Sequence, residues 1–467
     1  MTNSNLTTWL PDLLWDGSSF KSNVALELND AGTIARVSSA SEVERAVQLK
    51  NRAALPGLVN AHSHAFQRVI RGRTEYATAN EDSFWTWREM MYNAALRLSP
   101  EDVYDVSRMA FLEMALSGIT AVGEFHYLHH APDGTPYDDP NLLAKQVVRA
   151  ANDVGLRIAL LRVAYARAGY DQDANPQQRR FIEVDAQTCL TNLERLRQEL
   201  AATADASMAW VGVAPHSVRA VPLNYLKDVV QFARQEQLPV HMHVAEQPAE
   251  VSACIQEYGR SPVSLLATEG LLSERFTAVH AIHVTPKAVG LLADAGATVC
   301  ACPTTERNLG DGVVPVDQYF ARRVRVSLGS DSQTQIDLLE DARELEYHLR
   351  LQKTARAVLA AANDEGRSAL AARLFDCATI NGAASINAPG GRLETGRAAD
   401  FFTVDLNDPS IAGASPDDLL AAIVFSLSRT AIKDVVVAGK RIVEDGRHAD
   451  QEEIVDRFKA LQKKVWG

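Results

Sequence analysis

Leu55-Pro56-Gly57-Leu58-Val59-Asn60-Ala61-His62-Ser63-His64 is the stretch on which the reading of this chain turns. An apolar run of strand type, read as Ala53 to Val59, leads into two histidines one residue apart. Alternate residues of a strand point to the same side, so both imidazoles can reach one ion. Alone, such a pair is a weak signal, since core and surface histidines produce it often. Its place at the end of an apolar run gives it weight.

Seven further β-rich apolar runs follow: Thr120 to Phe125, Arg157 to Val163, Trp210 to Ala214, Pro239 to Val244, Thr277 to Ile282, Thr298 to Cys302 and Arg325 to Leu328. Amphipathic helical stretches lie between most of them, such as Pro100 to Ser117, Asp185 to Ala202 and Asn224 to Gln235. Eight strands with intervening helices over roughly 280 residues predict an α/β fold, a (β/α)8 TIM barrel. A doubly wound open sheet is the alternative, but the chain carries no GxGxxG or GxxxxGK[ST] phosphate loop. Both ends have a different texture. Val24 to Leu28 and Ile34 to Val37 read as strands, as do Ala399 to Val404, Lys433 to Val437 and Arg441 to Glu444. They predict a small β-sandwich domain built from both termini, residues 1–55 and 390–467, around a catalytic barrel of residues 56–389.

The chain has 467 residues, 46% hydrophobic and 23% charged, enough for a barrel and an appendage. A formal net charge of -12 argues against a nucleic-acid partner, which needs a basic footprint. It leaves an anionic small molecule open, because a site can be locally basic. Five irregularly spaced cysteines suggest no disulfide framework. The polar opening from Met1 to Leu10 has no signal-peptide character, and no apolar run reaches membrane-spanning length, so a cytoplasmic protein away from membranes is expected.

Ten of the twelve histidines fall at or just beyond the ends of five expected strands. They are His62 and His64; His126, His129 and His130; His216; His241 and His243; His280 and His283. Barrel active sites are built at the carboxyl ends of strands. In His241-Met242-His243-Val244-Ala245-Glu246, one histidine could supply a third nitrogen ligand. Glu246 reads either as a proton carrier over the metal or as a helix-start carboxylate. Asp331, in Ser327-Leu328-Gly329-Ser330-Asp331-Ser332, would ordinarily be an N-cap. In a closed barrel the last strand neighbours the first, which places its carboxylate beside His62 and His64.

Together, the HxH after PGLVNAH, the HxHxxE at His241 to Glu246, the His280 of VHAIH and the Asp331 of GSDS resemble the amidohydrolase superfamily, in its cytosine-deaminase-like branch. Gly391 to Asp400 and Val437 to Lys440 resemble that family's small β domain, so the resemblance covers nearly the whole chain. It implies metal ligands His62, His64, His243 and Asp331, with His241 left to packing. Glu246, His280 and Asp331 are the implied catalytic groups. Binuclear members often bridge two ions with a carboxylated lysine after strand four; Val213-Ala214-Pro215-His216-Ser217 has none. One ion per chain is expected, zinc or alternatively iron.

Within that branch, His64 to Arg68, Trp85 to Met91, Glu124 to His130 and Pro215 to Arg219 are most similar to the N-formimino-L-glutamate deiminases. This resemblance implies that Gln67 lies by the formimino group and that Arg88, Tyr127, His216 and Arg219 surround the substrate carboxylates. The chemistry agrees, since planar forked guanidiniums suit a dicarboxylate. The implied reaction is attack of a metal-activated water on the formimino carbon, giving N-formyl-L-glutamate and ammonia in histidine degradation. A homodimer is implied by the same resemblance. Two readings compete. A purine, pterin or other heterocycle deaminase would favour an apolar, aromatic pocket over two arginines. A non-catalytic scaffold would lack some of the ligands that are all present here.

Overall fold

Between Pro56 and Leu58 the backbone passes from one sheet to another. The structure, a computed structural model, describes residues 7–76, 84–173, 175–202, 207–361, 366 and 368–467. The polar opening read from Met1 to Leu10 lies outside the described residues as far as residue 6. Strands β1 (Thr7–Trp15), β2 (Phe20–Lys21), β3 (Val24–Leu28), β4 (Ile34–Ser39) and β5 (Val47–Pro56) build one part of a nine-stranded mixed sheet. Then come eight strands of a second sheet, β6 (Leu58–Ser63), β7 (Ile119–His126), β8 (Arg157–Ala164), β9 (Ala209–Pro215), β10 (Val240–Val244), β11 (Phe276–His280), β12 (Thr298–Ala301) and β13 (Arg325–Leu328). The chain returns to the first sheet with β14 (Phe401–Asp405), β15 (Ile432–Val437), β16 (Lys440–Glu444) and β17 (Arg447–His448). Among the described residues, no helix is long and apolar enough to cross a membrane.

The expected strand Ala53 to Val59 is therefore two strands. Ala53 to Pro56 pair with β14, whereas Leu58 pairs with Ile119 of β7. Consecutive amides serve different sheets: Gly57 N donates to Asp400 O at 3.0 Å, and Leu58 N to Gly118 O at 3.0 Å. A Cβ at Gly57 would lie 2.2 Å from Thr120 Oγ1, so only glycine lets the chain pass there. The other seven expected strands fall within two residues of the observed ones at each end.

All eight strands of the second sheet run parallel, in sequential order from β6 to β13, and their residues are almost entirely buried. That is what near-continuous apolar strands predict when helices cover the outer face. The helix Pro100–Leu116 shows why these sequences form such helices: Ser99 and Asp102 make a reciprocal capping box, with proline at the first turn. The circle closes where β13 meets β6, through a parallel bridge between Ser63 and Asp331. This is the (β/α)8 barrel.

The nine-stranded sheet has its own core, with Trp9, Leu26, Phe401 and Val436 at its heart. A buried pair joins the two sheets: Arg157 of β8 donates to both oxygens of Asp400, at 2.7 and 3.2 Å. The C-terminal helix Gln451–Trp466 reaches back to the barrel. Gln462 Nε2 and Trp466 Nε1 both donate to Val69 O, at 3.0 and 3.2 Å, in the short 3-10 helix Ala65–Ile70 that carries Gln67.

Candidate metal centre and active-site cleft

Four ligand atoms converge at the carboxyl end of the barrel. His62, His64, His243 and Asp331 are buried, and one donor atom from each lies within 4.8 Å of all the others. Asp331 Oδ1 is 3.4 Å from His62 Nε2 and 3.2 Å from His64 Nε2, and the Nε2 atoms of His62 and His243 are 3.2 Å apart. The outward nitrogens of two rings are fixed by carbonyls: His64 Nδ1 meets Phe125 O at 3.0 Å, and His243 Nδ1 meets His216 O at 3.1 Å. That leaves their Nε2 lone pairs facing the cluster, the usual arrangement behind a metal-binding histidine. Burial, aided by His64 and His280, pulls His62 down to about 3, and burial with His216 and His62 holds His243 well below the usual range. Neutral imidazoles and an ionised Asp331, itself held well below the carboxylate range by His62 and His64 against its burial, are the states a divalent cation requires. The donor set therefore fits one four-ligand ion.

A second layer of hydrogen bonds sets these ligands. Glu124 accepts from Ser63 Oγ at 2.6 Å and from Ala65 N at 2.7 Å, bracketing His64. Gln333 donates to Ser63 Oγ at 2.7 Å, and Asn60 and Ser330 bind each other across the closure of the barrel. Ala245, His280, Ala281 and Asp331 have positive φ values of 51°, 67°, 49° and 47°. Such strain in non-glycine residues gathers at functional sites, and here it lies just where strands β10, β11 and β13 end.

Beyond the four ligands, His280 Nε2 is 3.7 Å from Asp331 Oδ2 and 3.8 Å from Glu246 Oε1. Its other nitrogen, Nδ1, lies 3.2 Å from Glu306 Oε1, which also accepts Cys302 N at 2.9 Å. Burial opposes charge on His280, but Glu246, Glu306 and Asp331 outweigh it and hold the imidazole well above its ordinary range. Burial, with Asp331 nearby, pushes the Glu246 carboxyl up against the pull of His280 and Arg219. A carboxyl raised in this way holds a proton more readily than an exposed one, as proton transfer requires.

These groups form one wall of a cleft with about 530 Å³ of space, the open solvent at its mouth included. Gln67, Arg88, Tyr127, His216 and Arg219 line the same cleft, so it brings together every substrate residue expected from the sequence. Gln67 Nε2 donates to Tyr127 OH at 2.8 Å, and the buried Gln67 Oε1 has no partner among the described residues. Arg219 donates to Ala168 O at 2.6 Å and reaches the Tyr165 hydroxyl. Other strand-end histidines go elsewhere. His241 Nε2 meets Ser385 O at 2.9 Å, and His129 and His130 bond Val163 O and Ile182 O. His283 bonds Asp311 O. Residues not singled out from the sequence also line or brace the cleft: Tyr92 and Tyr165 in its wall, Glu306 behind His280, and Glu124 behind His64. Glu306 stands four residues past Cys302, the end of an expected strand, which was the one legible hint.

The amidohydrolase family profile matches residues 53–442. The chain belongs to the amidohydrolase family. Among its relatives, it is 39% identical to formimidoylglutamate deiminase of Pseudomonas aeruginosa, over 93% of this chain and 94% of that one. It is 27% identical to 5-methylthioadenosine/S-adenosylhomocysteine deaminase of Natronomonas pharaonis, covering 89% of this chain and 87% of the other. Of solved structures, an amidohydrolase from Brucella melitensis superposes with a TM-score of 0.90 at 34% identity, covering 99% of this chain and 100% of that one. A zinc-bound adenosine deaminase from Xanthomonas campestris shares the fold, with a TM-score of 0.82 at 21% identity and 98% coverage of both.

Proposed function

We propose that this amidohydrolase removes ammonia from N-formimino-L-glutamate, giving N-formyl-L-glutamate in histidine degradation. The observation that carries this is the joining of two features in one cleft: a three-histidine, one-aspartate ion site and the guanidiniums of Arg88 and Arg219. A dicarboxylate suits two planar guanidiniums through charge-assisted, forked hydrogen bonds, which a neutral purine or pterin does not offer. The formimidoylglutamate deiminase relative supports the same substrate.

His62, His64, His243 and Asp331 would hold the ion, which we take to be a single zinc, with iron the alternative. When bound, such an ion supplies a water made acidic enough to lose a proton near neutral pH. Asp331 would accept that proton, and His280, whose Nε2 lies 3.7 Å from Asp331 Oδ2, would orient the attacking oxygen. Glu246 carries a proton to the amidine nitrogen that leaves as ammonia. The free Gln67 Oε1 accepts from an amidine N–H, a match an amide acceptor suits. Tyr127 and His216 flank the substrate, and Arg88 and Arg219 bind its carboxylates.

Residues 56–389 form the catalytic domain on this reading, with 1–55 and 390–467 as its support. A cytoplasmic homodimer is the working state suggested by the family resemblance. Ammonia release measured with N-formimino-L-glutamate, N-formimino-L-aspartate, guanine and cytosine tests the assignment. The highest specificity constant is expected for N-formimino-L-glutamate, and preference for either heterocycle overturns the reading.

A further inference from the structure

Glu306 makes two contacts through one oxygen, and the fold accounts for only one of them. It lies in the first turn of the short helix Pro303–Leu309 that follows β12. The residue is 1% exposed, so its carboxyl must find partners within the protein. Its Oε1 accepts Cys302 N at 2.9 Å, an ordinary way to satisfy an amide at a helix start. The same Oε1 lies 3.2 Å from Nδ1 of His280, at the end of the neighbouring strand β11. Capping a helix does not require that second contact.

An oxygen that already takes a backbone N–H is acting as an acceptor, so the hydrogen between Glu306 and His280 belongs to Nδ1. Among the described residues this is the only hydrogen bond of the His280 ring. The opposite nitrogen, Nε2, stands 3.7 Å from Asp331 Oδ2 and 3.8 Å from Glu246 Oε1, beyond hydrogen-bond reach of both. His243 stacks on the ring, with 5.6 Å between centres and 16° between planes. Stacking sets the plane of an imidazole but not which edge carries the nitrogens. A half-turn about the Cβ–Cγ bond keeps that plane and exchanges each ring nitrogen with a carbon. The turned ring would show a C–H to Glu306 and another to the two carboxylates. The bond to Glu306 is what separates these two placements.

We propose that Glu306 is a positioning residue for the hydrolysis: through Nδ1 it holds His280 in the ring placement that turns Nε2 toward the attacking oxygen. The inference rests on the reading of His280 as the group that orients that oxygen. Glu306 does not line the cleft, so its loss acts on turnover and leaves substrate binding alone. Without an acceptor at this place, the native placement would bury Nδ1–H unpaired, and the turned ring becomes the better one.

Glu306→Gln keeps an acceptor oxygen for both Cys302 N and His280 Nδ1, whereas Glu306→Met keeps the volume and a good helix former but neither bond. On N-formimino-L-glutamate, zinc-loaded Glu306→Met is expected to lose kcat about tenfold or more, the scale of one hydrogen bond to a charged group, with KM within about threefold. Glu306→Gln is expected to regain most of that loss. Metal content and melting temperature are measured beside both. A carboxyl that only starts a helix would change the melting temperature and leave kcat of the folded, zinc-loaded variants at the wild-type value, which overturns the proposal. The second readout is the His280 Nδ1–H proton itself. In protein carrying nitrogen-labelled histidine, a bond to a buried carboxyl moves this proton to low field in the magnetic resonance spectrum and slows its exchange. The wild type is expected to show the signal, assigned by its absence from His280→Gln, and Glu306→Met to lose it. A wild type without it overturns the proposal, even where Glu306→Met does not fold. A wild type that shows the signal yet releases no ammonia from N-formimino-L-glutamate overturns instead the reading on which the inference rests.

Discussion

Ser63 and Asp331 form the parallel bridge that closes the barrel, and that bridge is flanked by the ligand cluster. Asp331 N donates to His62 O, and His64 N donates to Asp331 O, both at 3.0 Å. The backbone bonds that join the last strand to the first therefore also fix the spacing of three of the four candidate ligands. Barrel closure and ion-site geometry are one structural event here.

Gly329 tests that coupling. A Cβ there would lie 2.7 Å from His62 Cβ and 2.8 Å from His62 O, and backbone cannot yield as a side-chain tip can. Gly329→Ala is expected to push β13 from β6, costing about 1–3 kcal/mol of stability, as overpacking generally does. Metal occupancy should fall together with the melting temperature. A variant with both at wild-type levels would show that closure and ligand spacing are separable.

Glu246→Gln should keep about one ion per chain, the number a single three-histidine, one-aspartate site holds, yet lose most turnover, because an amide cannot carry a proton. The check is metal analysis beside ammonia release. Near wild-type activity would place the proton shuttle elsewhere, and two bridged ions per chain would refute the single-ion site.

Arg88→Met and Arg219→Met remove one cation each from the cleft without touching a candidate ligand. Each should lower the specificity constant on N-formimino-L-glutamate roughly 100-fold or more, the loss expected when a charge-assisted pair worth about 3 kcal/mol goes. Metal content should stay constant. If both variants match the wild type, the heterocycle deaminase reading moves ahead.

Acid stability should report on a different buried pair. Arg162 of β8 donates to both oxygens of Glu183, at 2.6 and 2.8 Å, and both side chains are 1% exposed. Burial alone would raise the Glu183 carboxyl, but His129, Arg162 and Asn192 together hold it far below its ordinary 4.5. A depressed carboxylate stabilises the fold fully above its unfolded pKa, and that contribution is lost as pH falls through the folded value. The urea midpoint should therefore decline as pH drops below about 4.5. Glu183→Gln, which strands Arg162, should cost about 3–5 kcal/mol at neutral pH and flatten the acid decline. An unchanged acid slope would assign the loss to other carboxylates.

Much of this architecture was readable because it depends on local pattern. β3, β13 and the helix Pro100–Leu116 follow from apolar periodicity and caps that a short window contains. The split at Gly57 was not readable, because β5 and β6 are both apolar and only their partners differ. The histidines stood out as a rare residue type recurring at strand ends. Tyr92 and Tyr165 carried no such signal: they meet only in three dimensions, and each alone looks like an ordinary core residue. Glu306 was hidden for the same reason, since its partner His280 lies on a neighbouring strand.

The place of β5 in the first sheet sets the order in which the protein can be made. β5 lies between β1 and β14, and β14 follows the whole barrel in the chain. During synthesis the opening strands leave the ribosome with one edge of β5 unpaired, and that edge stays open until every barrel strand has been translated. The helix that holds Val69, and with it the Gln67 turn, arrives later still. The nascent chain thus carries an apolar strand edge through most of its synthesis, the condition under which non-local sheets are slow to complete and dependent on chaperones.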